Sequence, residues 1–206
     1  IVYVHTAPDN YKKRLLIRET WGNSIYHIHP IKVLFFIGLP KSPNENATIN
    51  MQSAIDLESD TYGDIIQEDY TDDYHNLTYK GVGAMKWVSE HCSHARFIIK
   101  IDDDVMMNIF LLFHYLDSRN ITSSTIVCFV WDSMPVMRES KWKVEVEDYP
   151  DDLYPRYCSG SAFIVTSDLA QKLYNTSHYV PFFWVDDVYL TGFIPKKLAN
   201  VTHVSI

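Results

Sequence analysis

The 206-residue chain has no run of about 18 consecutive apolar residues, so no part of it reads as a membrane-spanning helix. No positively charged stretch leads into an apolar one at its start, and these residues carry no signal peptide. Basic residues are in the minority: 18 Lys and Arg stand against 26 Asp and Glu, a formal net charge of −8. A nucleic-acid surface needs a basic face, so that class of partner is excluded. A nucleotide ligand is not, because a divalent cation can neutralise a diphosphate. The chain also lacks a GxxxxGK[ST] sequence, which argues against a metal-dependent phosphoryl-transfer enzyme of the P-loop kind. Cysteine is scarce, and Cys92, Cys128 and Cys158 lack the CxxC spacing of a zinc site. They fit either three buried thiols or one disulfide with one free thiol. No internal repeat, low-complexity tract or linker interrupts the chain, and a single domain spanning residues 1–206 is expected.

What is present is a substantial core: 47% of residues are hydrophobic and 14% aromatic, which excludes general disorder. The chain begins at once on an apolar segment, IVYVHTAP, as expected of a domain cut from a longer protein whose targeting segment lies elsewhere. Five N-x-S/T sequons, at Asn46, Asn76, Asn120, Asn175 and Asn200, point to the secretory pathway.

Val2 to Val4 and Val33 to Ile37 read as buried strands, the second closed by Gly38. The segment DNYKKRLLIRETWG between them has helical spacing, with Gly22 as a stop. NATINMQSAIDLESDTYG predicts a second helix, Asp64 to Gln67 a short strand, and LTYKGVGAMKWVSEHC a third helix despite two glycines. A strand from Phe97 to Ile101, a helix in IFLLFHYLDSRN and a strand from Ile126 to Val130 follow. Ser140 to Tyr157 reads as loops and short antiparallel strands, and SAFIVTSDLAQKLYN as a strand and then a helix. Such alternation predicts an α/β domain with a mainly parallel sheet.

Asp102, Asp103 and Asp104 follow an apolar strand, and ligands of open α/β sheets bind beyond the carboxyl ends of strands. The Asp-x-Asp spacing projects Asp102 and Asp104 to one side of an extended chain. Hard carboxylate oxygens brought together suit Mg²⁺ or Mn²⁺, which would grip a phosphate-bearing substrate. An acidic turn or helix start, with Asp favoured by the helix dipole, explains the same triplet. A second acidic pair, Asp186 and Asp187, sits among Phe183, Trp184 and Val188. Apolar neighbours raise a carboxylate pKa and make it a better base, although a helix N-cap is again the plainer reading.

Five blocks, in order, resemble the β-1,3-glycosyltransferase family that includes β-1,3-galactosyl- and β-1,3-N-acetylglucosaminyltransferases (glycosyltransferase family 31). KRLLIRETWG resembles its basic-x-x-I-R-x-T-W-G block, and DIIQEDYTDDYHNLTYK its D-I-x-x-x-D-F-x-D-x-Y-x-N-L-T-x-K block, with Tyr70 replacing Phe. KIDDDVMMN resembles K-x-D-D-D-x-x-x-N. KWKVEVEDYPDDLYPRYCSGSAFIVTS follows the tract ending Y-P-x-Y-x-S-G-x-x-Y-V-x-S, and VDDVYLTG resembles E-D-V-Y-x-G. The blocks cover nearly all of the chain from Ile1 to Gly192.

The resemblance implies a GT-A fold, a Rossmann-like mixed sheet flanked by helices with nucleotide-binding and acceptor-binding halves. It implies inverting transfer of galactose or an N-acetylhexosamine from a UDP-sugar to the 3-hydroxyl of an acceptor glycan on a glycoprotein or glycolipid. The enzyme would act on the lumenal side of the Golgi membrane, anchored there by a segment outside these residues. Asp104 and, in support, Asp102 are expected to hold Mn²⁺ on the UDP diphosphate, with Asp103 beside them in the donor site. Asp187 is expected to remove the acceptor proton.

Arg18 is expected to contact donor or to form a structural ion pair, and Lys80 to meet phosphate or a nearby acid. Asp69, Asp72 and Tyr74 either line the nucleotide pocket or form a strand-to-helix turn. Gly160 permits close backbone approach near the sugar, Trp142 stacks on a sugar ring or shields a core edge, and Trp21 packs in the core. A Cys92–Cys158 disulfide is expected from position, leaving Cys128 free and buried. Asp186 stands where the family has Glu, and Phe163 where it has Tyr. The family continues to a later metal-binding His, and His203 follows Gly192 too closely to be equated with it. A fold-retaining protein that binds or scaffolds glycans without turnover is the alternative of a different class.

Overall fold

Successive residues of a strand point to opposite faces, and a strand covered on both sides is apolar at every step. That is what the central strands show in a computed structural model, which describes residues 1–26 and 30–206. β1 (Val2–His5), β2 (Val33–Leu39), β3 (Ile65–Thr71) and β4 (Phe97–Asp102) form the first half of the sheet. β5 (Thr125–Trp131), β6 (Tyr157–Thr166) and β7 (Thr202–Ser205) form the second. The order is β3-β2-β1-β4-β6-β5-β7. The first four strands are mutually parallel, β6 runs antiparallel to both β4 and β5, and β7 pairs parallel with β5.

Tyr3, Leu34, Phe36 and Ile98 face one core, closed by α3 (Leu77–His91) and α5 (Ser167–Ser177). Val4, Phe35, Ile37 and Ile99 face the other, under α1 (Tyr11–Glu19), α2 (Glu45–Tyr62) and α4 (Ile109–Ser118). Trp21 is buried in this second core, as its sequence context implied. The short helix α6 (Asp186–Val188) continues through a π-helical turn, Tyr189–Phe193, into α7 (Ile194–Lys197).

The two glycines of α3 have a packing reason. A Cβ at Gly81 would fall 2.2 Å from Leu190 Cδ1, and one at Gly83 would fall 1.9 Å from Glu68 Oε1. The helix accepts their low propensity in exchange for close approach on two sides.

Several expectations need correction. β2 runs through Gly38 to Leu39, and β3 extends to Thr71. The sheet is mainly parallel, as expected, with β6 antiparallel to both of its neighbours. The stretch between β5 and β6 contains one isolated antiparallel bridge, Pro135–Leu153, instead of several short strands. Besides its own turns, one side chain ties it together: Arg138 donates to the carbonyls of Val144, Glu145, Tyr149 and Asp151. The disulfide joins Cys128 to Cys158, with Cα atoms 5.6 Å apart on the adjacent strands β5 and β6. Cys92 is the free thiol, at the far end of α3.

Arg14 is wholly buried and forms a two-pronged pair with Glu58, Nε to Oε1 at 2.9 Å and Nη2 to Oε2 at 2.7 Å. It also donates to the carbonyls of Ala7 and Pro8, fixing the loop between β1 and α1. Glu58→Ala leaves that guanidinium buried without its carboxylate, so a loss of about 3–5 kcal/mol in chemical denaturation is expected. A non-reducing peptide map is expected to recover Cys128 linked to Cys158, with Cys92 alkylated.

Candidate active site

The carboxyl ends of β1 and β4 lie side by side, with His5 paired to Asp102. Two cavities open there. The smaller, about 360 Å³, is bordered by the β1–α1 loop, the turn before α3 and the aspartate triplet. The larger, about 510 Å³, lies between the triplet, the loop before β6 and the start of α6. Tyr74, Leu77, Asp102 and Asp104 border both.

The triplet divides its work. Asp103 borders the smaller cavity, but its carboxylate is taken up by Thr6, Asn10 and Lys13, each at 2.7 Å. It anchors the β1–α1 loop, and the expected donor contact has no free oxygen to serve it. Asp102 Oδ1 accepts from Lys100 Nζ at 2.5 Å. Burial nevertheless pushes the Asp102 carboxyl above its ordinary value, against the pull of Lys100, and the charges of Asp186 and Asp104 add to the rise. Asp104 is exposed at the mouth shared by both cavities. Asp102 and Asp104 thus remain the two hard-oxygen groups facing the cavities together.

Among the described residues no three His, Cys, Asp or Glu groups are gathered as a metal cage. His203 borders neither cavity; it lies on β7, with Nε2 2.7 Å from the Thr191 carbonyl. Two carboxylates with open positions between them suit an ion completed by substrate phosphate and water, the habit of Mg²⁺-like cations.

Asp187, the second residue of α6, borders the larger cavity. Burial, then the neighbouring Asp186 charge, raises its pKa to about 7, opposed by the Val188 N–H and by Lys100. Oδ1 accepts that N–H at 2.8 Å. A Cβ at Gly160 would stand 2.9 Å from Oδ2, so the bare glycine backbone of β6 admits the carboxylate. Here the expectation for Gly160 finds its geometry: the close approach is to Asp187.

The other expected residues part company. Asp72 accepts the Gly38 N–H at 2.7 Å, and both its oxygens accept from Lys80 Nζ, at 2.9 and 3.1 Å. Lys80 Nζ also donates to the Thr6 carbonyl at 2.6 Å. Its three donors are therefore spent, and the nearby-acid role displaces the phosphate role. Burial lowers the Lys80 pKa even so, with Asp72 opposing. Together the pair ties the ends of β1, β2 and β3 into one wall of the smaller cavity.

Arg18 is not at the site. Its guanidinium pairs with Glu58 and Asp64 and lies over the Tyr62 ring, 3.9 Å from the centroid. Asp69 is exposed on β3 and borders neither cavity. Trp142 does border the larger cavity, with Lys141 Nζ 4.5 Å from its ring.

Lys100 went unassigned in the sequence, although a Lys between Ile99 and Ile101 in a buried strand is itself a signal. It is 2% exposed and donates to Asp102 and to the Gly160 carbonyl. Trp184, one of the expected apolar neighbours of the acidic pair, borders the larger cavity with its ring tilted against His75, 4.5 Å between ring centroids.

A galactosyltransferase family model matches residues 12–205. Beta-1,3-galactosyltransferase 5 of Pan paniscus is 33% identical over 193 residues, 92% of this chain and 62% of that protein. Lactosylceramide 1,3-N-acetyl-beta-D-glucosaminyltransferase of Rattus norvegicus is 34% identical over 210 residues, 98% of this chain and 55% of that protein. The chain thus spans 55% to 62% of the length of these two curated relatives. Among solved structures, 4-diphosphocytidyl-2C-methyl-D-erythritol synthase superposes with a TM-score of 0.50 at 10% identity, covering 100% of this chain and 86% of that one. The likeness is one of fold, and the mixed seven-stranded sheet between two helical layers is of GT-A type.

Gly160→Ala is expected to push Asp187 out of its niche toward solvent. NMR titration of labelled aspartate is expected to show its pKa falling from about 7 toward the usual carboxylate range.

Proposed function

This chain belongs to the galactosyltransferase family, and from that premise we propose that it is an inverting UDP-sugar-dependent β-1,3-glycosyltransferase. It moves galactose or an N-acetylhexosamine to the 3-hydroxyl of an acceptor glycan on a glycoprotein or glycolipid. The names of the relatives support the linkage and both sugar classes. The observation that carries the reading is the placement of Asp187: a buried carboxyl with a pKa of about 7, facing the same cavity as Asp102 and Asp104.

The division of labour follows from the side chains. The donor lies across the shared mouth, with UDP toward the smaller cavity and the sugar toward the larger. Asp102 and Asp104 would hold Mn²⁺ there, a cation that, when bound, stabilises negative charge on a departing diphosphate. Asp187 accepts the proton of the acceptor 3-hydroxyl as that oxygen bonds to the anomeric carbon. The bond from that carbon to phosphate breaks on the opposite face, UDP leaves with the electron pair, and an α-linked donor gives a β-linked product. Lys100 holds Asp102 and the Gly160 carbonyl together, so the metal-side and base-side carboxylates keep a fixed spacing. Trp142 and Trp184 offer ring faces for sugar stacking.

We place the protein on the lumenal side of the Golgi membrane, held by an anchor outside this segment. The Cys128–Cys158 disulfide supports an oxidising compartment, as do sequons at the exposed Asn46, Asn120, Asn175 and Asn200.

UDP release by the full-length protein, with a panel of UDP-sugars and β-linked acceptors, tests the reading. Mn²⁺ is expected to support turnover and a chelator to abolish it; chelator-resistant transfer would remove the metal role of Asp102 and Asp104. Because the base works deprotonated, kcat is expected to rise with pH through about 7. Asp187→Asn is expected to bind UDP as the wild type does while kcat falls by about 10²–10⁴-fold. Glycan binding without UDP release under every condition would select the non-catalytic reading.

A further inference from the structure

Behind the site, in the wall between the two cavities, four buried polar atoms have no hydrogen-bond partner among the described residues. They are the Tyr3 hydroxyl, both ring nitrogens of His5 and Asp186 Oδ2. Tyr3 and His5 are side by side on one face of β1, their ring centroids 5.5 Å apart. His5 Nδ1 stands 3.8 Å from Asp186 Oδ2, too far for a direct hydrogen bond. Buried polar groups in folded proteins are almost always satisfied, by protein or by ordered water. A site with several convergent polar groups is where an internal water is stable, since such waters make about three hydrogen bonds each.

We propose that an internal water bridges Tyr3, His5 and Asp186, and that His5 is thereby a positioning residue for the acidic pair. Burial and the ammonium groups of Lys100 and Lys80 hold the His5 ring neutral, leaving it one donor and one acceptor. Through the water, that ring fixes the orientation of the Asp186 carboxylate beside Asp187. The charged and titratable groups around the pair are Tyr3 from β1, Tyr74 from the turn before α3, Lys80 from α3, Lys100 and Asp102 from β4, and Tyr154 and Tyr157 at the entry to β6. Of these, none replaces the lost contact to Asp186 Oδ2. The inference rests on the reading of Asp187 as the base, because it acts on turnover only through that residue.

Two measurements on the full-length protein test it separately from that reading. A high-resolution crystal structure of the wild type is expected to show ordered solvent bonded to His5 and Asp186. His5→Phe, which keeps the ring volume but neither nitrogen, is expected to lower kcat by about tenfold, the effect of one hydrogen bond to a charged group. With Asp186 no longer held in place beside Asp187, its charge raises the Asp187 carboxyl less, so the acidic limb of the kcat profile is expected to move to lower pH, and His5→Gln to restore it in part. No solvent between His5 and Asp186, or a His5→Phe limb coinciding with the wild-type one, would overturn the inference. A wild type with no limb near neutral pH counts against Asp187 as base, and the crystallographic result then decides the inference alone. It decides it likewise if His5→Phe fails to fold.

Discussion

Everything at the cavities is referred to one buried ammonium. Lys100 sits in the middle strand of the sheet, where β4 is parallel to β1 on one side and antiparallel to β6 on the other. Its donors reach Asp102 on its own strand and the Gly160 carbonyl across the seam. A cation at this depth is tolerable only with charged or strongly polar acceptors, so both are obligatory. The parallel half, which frames the smaller cavity, and the antiparallel half, which frames the larger, are thereby joined at the point where the two cavities meet.

This junction explains why only part of the site was legible in the sequence. Strands such as Val33–Leu39 announce themselves by unbroken apolar runs, and helices such as Glu45–Tyr62 by their caps: Asn44 accepts the Asn46 and Ala47 N–H groups, and Gly63 closes with φ 62°. Asp102, Asp104 and Asp187 were readable because each follows or opens an element whose end must face a cavity. Partners distant in sequence were not. Arg18 and Lys80 belong to the right motifs, yet their acceptors, Glu58, Asp64, Asp72 and Thr6, are chosen by tertiary contact. For the same reason Cys158 is bonded to its strand neighbour Cys128 instead of Cys92. The last strand, Thr202–Ser205, is short and partly polar, and it is fixed by pairing with β5, not by its own pattern.

Electrostatically, the site combines carboxylates made costly to ionise with cations already committed. Asp102 and Asp187 both have pKa values raised by burial, while Lys80 and Lys100 satisfy fixed acceptors. Negative potential therefore accumulates where Asp102, Asp104, Asp186 and Asp187 converge, Lys100 being committed and Lys141 lying over the Trp142 ring. Such a cavity is matched to a ligand that arrives together with its counter-cation, which fits a metal-bound diphosphate better than a bare one.

The Cys128–Cys158 bond has a consequence for how such a protein diversifies. The bond closes a 30-residue separation in the sequence, and the enclosed segment carries Met134, Met137, Lys141 and Trp142 to the larger cavity. With both ends clamped to the sheet, length changes inside the segment alter a closure entropy that grows only logarithmically, about 0.6 kcal/mol per doubling. The wall can therefore be lengthened, shortened or rewritten while the strands, Asp187, Asp102 and Asp104 stay where they are. Recognition and chemistry sit on mechanically separate parts of one scaffold, and the first is free to drift under selection without loosening the second.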